Sequence, residues 1–148
     1  MKIACKHSPN DQWRLSKMER RIINPWNWQA EQGWSWAIDT SGSQRTLYCA
    51  GQVSMDGDGK LLHGGDMRAQ IKQALDNLET VLRQANYQLA DVVRIDYYTT
   101  NVDDLVVNWD VIKERLVAAG CRAGGVLLGV SRLAFPELLI EIEAIAVQ

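Results

Sequence analysis

Residues 138–147 read Leu-Leu-Ile-Glu-Ile-Glu-Ala-Ile-Ala-Val, with the two-residue alternation of a β-strand. Ile140, Ile142, Ala144 and Ala146 share one face, while Leu139, Glu141, Glu143, Ile145 and Val147 share the other. Carboxylates in a strand that is apolar on both faces need a partner or a task. What Glu141 faces is therefore the functional question that this strand poses. For Glu143 an ion pair with Arg94 or Arg132, or with another subunit, is expected. Other groups with chemical potential lie scattered. Asn108 sits on an apolar helical stripe, and an inward amide requires hydrogen-bond partners. Five of the six tryptophans (Trp13, Trp26, Trp28, Trp34 and Trp36) fall in one early stretch, a composition that suits interfaces and ligand clefts as well as cores. No pyridoxal-phosphate lysine motif, phosphate loop, Ser-His-Asp set or zinc spacing is visible. His7 and His63 are isolated. Asp56-Gly57-Asp58-Gly59 is a turn without the ligand ladder of a calcium loop. No metal and no cofactor is expected.

The elements that must position these groups follow from periodicity. Residues 34–40 read as a strand, 41–44 as its turn and 45–53 as the strand paired with it, with Gly51 marking a bulge or a close backbone approach. Asp66 caps a helix whose apolar face is Ile71, Ala74, Leu75, Leu78, Val81, Leu82 and Ala85, and Asn86 stops it. Residues 91–100 form a strand. Asn101 or Asp103 caps a second helix that Gly120 ends. Residues 126–133 and 138–147 are two closing strands, separated at Phe135-Pro136. The order is ββ-α-β-α-ββ, an α/β fold: one mixed sheet with two helices on one face. Several strands are apolar on both parities, so the uncovered face is expected to meet other subunits rather than water.

At 148 residues, 47% hydrophobic and 23% charged, the chain suits one globular domain that needs no disulfide or structural metal. Its net charge of −2 argues against binding nucleic acid by neutralising phosphates. The charge is uneven: Lys2, Lys6, Arg14, Lys17, Arg20 and Arg21 face only Asp11 and Glu19 in the first 23 residues. Residues 1–21 are therefore read as a basic, poorly ordered N-terminal extension, and 22–148 as the domain. Three cysteines without metal or CxxC spacing fit a reducing compartment. No signal peptide or membrane span is readable, so a cytoplasmic protein with no membrane partner is expected.

Leu47-Tyr-Cys-Ala-Gly-Gln52, Gln70, Ala74, Asn77-Leu78, Asp91-Val-Val, Asn108 and Ile140-Glu-Ile-Glu-Ala-Ile-Ala146, in this order and spacing, resemble the RidA/YjgF family of reactive intermediate deaminases over about residues 22–148. The resemblance implies a chorismate-mutase-like fold. It also implies a homotrimer whose sheets form a central barrel, with ligand clefts between subunits. Active members hydrolyse 2-enamine and 2-imine intermediates to 2-keto acids and ammonia. An arginine fork suits the substrate carboxylate, and a carboxylate suits the attacking water. By this resemblance Glu141 is the site glutamate and Asn108 the helix asparagine.

Departures accompany the match. Counted without a gap from Asn108, the deaminase arginine falls on Gly125, within Arg122-Ala-Gly-Gly-Val126. The site serine is Ala50, before Gly51. The site cysteine is Leu127, and Trp34, Trp36 or Ala37 stands near the place of the site tyrosine. Removing a guanidinium from a partly buried cleft costs about 3–5 kcal/mol by analogy with broken buried pairs. That is at least two to three orders in rate or affinity. Arg122 lies about 10 Å upstream along an extended chain and on the opposite parity, so only a curled loop at residues 123–125 returns it to the site. Three readings follow. The first is a trimer that binds a small metabolite, an imino or keto acid, using Glu141, Asn108, Ala50, Gly51, the N–H groups of Gly124 and Gly125, and a Trp34/Trp36 wall. The second is an imine/enamine deaminase in which Arg122 takes the anionic end. The third is an interaction protein without a working cleft. Family members have also been described as ribonucleases, which the acidic body and the absence of a basic, aromatic-interleaved patch disfavour here.

Overall fold

The structure, a computed structural model, describes residues 18–26 and 28–148. Cys5, His7, Trp13 and most of the expected extension lie outside the described residues. The strands are β1 (Glu19–Ile23), β2 (Ala37–Ser41), β3 (Thr46–Val53), β4 (Val92–Thr99), β5 (Leu127–Gly129) and β6 (Ile140–Val147). The helices are α1 (Met67–Gln84), α2 (Val102–Val107) and α3 (Trp109–Ala118). The fold is mixed α/β, as expected.

The strongest sequence signal produces α1. The Asp66 carboxylate accepts from Ala69 N at 3.0 Å, and Ile71, Ala74, Leu75, Leu78 and Leu82 are fully buried. Asn86 takes a left-handed φ of 61°. The N–H groups of Asn86 and Tyr87 then return to Arg83 O and Leu82 O, closing the last turn. Gly120, at φ 70°, ends α3 the same way. Two polar residues of the resembling motif have structural tasks. The buried Gln70 amide donates to His63 O and Glu137 O and accepts from Leu139 N. Asn77 donates to Val53 O and Met55 O. Both tie α1 to the chain that enters or leaves the sheet.

The main sheet has the order β3-β6-β4-β5. β6 is antiparallel to β3 and β4, and β5 is parallel to β4. Its inner face (Cys49, Ile95, Tyr97, Ile140, Ile142, Ala144 and Ala146) is buried in the core beneath the helices.

The structure differs from the expected elements in several places. β2 and β3 are not a hairpin: β2 pairs with β1 as a separate two-stranded sheet, and β3 pairs with β6. Residues 42–45 carry the chain between the sheets, with Gln44 N and Arg45 N both donating to Gln148 O. The first strand also starts later than read, because Ser35 N and Trp36 N are held by Ala123 O and Asn24 Oδ1. β1 includes residues 19–21, and Arg20 fastens it to the body through Ala90 O, Asp91 O and Val147 O. Finally, the second helix divides at Asn108. The Asn108 amide bonds Asp104 O and Oδ1 at 2.9 and 3.1 Å, a local side-chain bond that competes with helix continuation.

Candidate functional site

Most of the residues singled out from sequence gather in two places on opposite faces of the main sheet. On the open face, β3 bulges between Cys49 and Gln52. The bulge brings Gly51 beneath the half-buried Glu141 of β6. A methyl group built on Gly51 would come within 1.8 Å of Glu141 Oε1, so the missing side chain is where the carboxylate rests. Ala50 is exposed beside it. Tyr98 lies across from Glu141 in register, and its hydroxyl reaches Glu143 Oε2 at 3.3 Å. Glu143 therefore has a neutral partner within the chain. Arg94 does not supply the expected pair, because its Nε bonds Asp96 Oδ2 at 2.7 Å.

On the helix face, a cavity of about 510 Å³ lies between the early tryptophan-rich loop, β4 and the α2–α3 junction. Trp28, Trp34, Trp36, Trp109, Tyr97 and Ser35 line it together with Gly125. The indoles meet edge-on: Trp34–Trp36 at 5.1 Å, Trp28–Trp34 at 5.5 Å and Trp28–Trp36 at 5.6 Å. The described residues that line the cavity carry no charge. Burial raises the Tyr97 phenol well above its ordinary value, with Cys121 and Asp96 adding to the effect, so the phenol stays protonated. Burial likewise raises the thiols of Cys49 and Cys121, which makes them poor nucleophiles.

Gly125 is closed to side chains. A methyl group there would fall 1.8 Å from Ile95 O and 3.0 Å from Asp96 Oδ1. The preceding glycine is pinned as well: Gly124 N donates to Val93 O, and Gly124 O accepts from Ile95 N. The Gly124 N–H is thus engaged with β4 rather than free for a ligand, and the segment runs along β4 instead of curling. Arg122 is half-buried, and its Nη1 is buried with no hydrogen-bond partner among the described residues. Neither Arg122 nor Asn108 is among the residues that line the cavity. Sequence reasoning missed Ser35 and Tyr97. Tyr97 carried a signal, as a hydroxyl on the inward parity of β4.

A sequence profile described as Endoribonuclease L-PSP matches residues 27–148. The chain belongs to this family, the RidA/YjgF proteins. Among its relatives, a RutC family protein of Pyrococcus horikoshii is 34% identical over 100 residues, 68% of this chain and 77% of the relative. A 2-iminobutanoate/2-iminopropanoate deaminase of Capra hircus is 31% identical over 137 residues, 90% of this chain and 94% of the relative. The crystal structure of YyfB from Yersinia pestis, a Rid family protein of unknown function, is 42% identical and superposes with a TM-score of 0.77. The match covers 87% of this chain and 98% of that one. Family membership is shown for the chain as a whole.

Proposed function

We propose that the protein is a RidA-like homotrimer that binds a small metabolite in clefts between subunits. In this reading its hydrolysis of 2-aminoacrylate is weak or absent. The observation that carries the reading is Gly125: the place of the anion-gripping arginine has no side chain and no space for one beside Ile95 O. The two groups of residues support a cleft between subunits. Glu141 and the Trp34/Trp36 wall lie on opposite faces of one sheet, so a ligand touching both takes them from different chains. The outer face also supports self-association. Tyr48 is 75% exposed in mid-strand, in register with Ile145, and an aromatic there favours a covered position. Among the described residues no helix is long and apolar enough to cross a membrane.

A second reading keeps the deaminase, with Arg122 gripping the substrate carboxylate. The buried Nη1 of Arg122, unpartnered among the described residues, favours it. A coupled assay of 2-keto acid release separates the two. The first reading predicts a rate at least two orders below active relatives, unaltered by Arg122→Ala. A high rate that Arg122→Ala abolishes establishes the second.

A further inference from the structure

We infer that the tryptophan-lined cavity takes a neutral, planar aromatic or heteroaromatic molecule with one polar edge, rather than a small aliphatic acid. The inference rests on the metabolite-binding reading above and names the class of ligand. The volume, about 510 Å³, lies within the range of ligand pockets, and a three-carbon acid would leave most of it unfilled. Trp28, Trp34 and Trp36 are set edge-on to one another at 5.1–5.6 Å. A ring inserted among them finds both faces and edges, the arrangement aromatic pairs prefer.

Charge decides against an acid. No charged side chain lines the cavity among the described residues, so a carboxylate would give up its hydration with nothing to replace it. A cation would find indole faces but, among the described residues of the same chain, no carboxylate to complete its neutralisation. The polar edge is assigned by two hydroxyls. Ser35 is 2% and Tyr97 4% exposed, both line the cavity, and neither hydroxyl has a hydrogen-bond partner among the described residues. Buried hydroxyls left unmatched are costly, and a ligand N–H or carbonyl at that end would satisfy them. Access is provided by Trp28 and Trp36, which are 68% and 38% exposed.

The test is calorimetric titration of the full chain with indole, 1-methylindole, pyruvate and tetramethylammonium. Indole should bind at one per chain. 1-Methylindole, which lacks the N–H, should bind at least threefold more weakly, and Ser35→Ala or Tyr97→Phe should narrow that difference. Trp36→Ala, with folding checked by circular dichroism, should weaken indole at least tenfold. Equal affinities for indole and 1-methylindole in the wild type overturn the inference without recourse to any variant. So does indole binding that Trp36→Ala leaves unchanged, or tighter binding of tetramethylammonium in competition with indole. Pyruvate binding without indole binding overturns the inference and leaves the proposed function standing. Binding of neither overturns both.

Discussion

The two faces of the main sheet are built from the same strands and have opposite fates. On the inner face, Ile140, Ile142 and Ala146 have no exposure, because α1 of the same chain packs over β6. On the outer face, Tyr48, Leu128 and Glu143 are exposed, and none of the described residues covers them. The difference separates what the chain needs to fold from what it offers to others. The glycines follow the same division. Gly125 is closed by strand backbone, which cannot yield, whereas Gly51 is closed by the end of the Glu141 side chain, which can swing away.

Substitutions should reproduce this division. Ile142→Ala, on the inner face, should cost about 2–5 kcal/mol in urea unfolding. Ile145→Ala, on the outer face of the same strand, should cost markedly less in the dissociated chain; equal losses would erase the contrast between the faces. Gly125→Ala should destabilise by roughly 1–3 kcal/mol or more, since β4 must shift to admit it. Gly51→Ala should leave the unfolding midpoint nearly unchanged and act on ligand affinity through Glu141. For the same reason Gly125→Arg is expected to perturb the strand pairing rather than restore a working site. Tyr48→Asp should lower the mass seen by light scattering from trimer to monomer while the unfolding of each chain stays cooperative; an unchanged mass would mean that this face does not mediate assembly.

How much of this was legible in sequence depended on whether local pattern or distant packing decides a feature. α1 was readable to its ends, because Asp66, the apolar period and Asn86 act within a turn of one another. β6 was readable as a strand, and its two faces were assigned correctly. The partners of β2 and β3 were not: alternation assigns faces but not neighbours, and β1 lay partly in a segment read as an extension. The division of the second helix depends on which way the Asn108 amide turns. The cavity was only half visible. The tryptophans advertised it, while Ser35 and Tyr97 join it through backbone contacts with residues about 30 to 90 positions away, such as Ser35 N on Ala123 O and Tyr97 N on Val126 O.

The smallest expected effect lies far from both faces. Arg68 bonds Asp110 through both carboxylate oxygens at 2.9 and 2.6 Å, and that bond holds the Asp110 carboxyl below its ordinary value. Its folded value is therefore below its unfolded one. The stabilisation is present above the ordinary carboxylate range and is lost as pH falls through the lowered value. Both groups are solvent-exposed, so Asp110→Asn should flatten the acid limb of the stability profile only slightly. A large loss at neutral pH would show that the pair does more than staple α1 to α3.

The central claim is that the chain keeps the acid of its family's site and lacks the guanidinium opposite it. The most direct measurement is the rate at which the wild-type protein converts 2-aminoacrylate to pyruvate and ammonia, alongside an active deaminase relative at equal concentration. The account predicts a rate at least two orders lower. A rate within a factor of a few of the relative would contradict it.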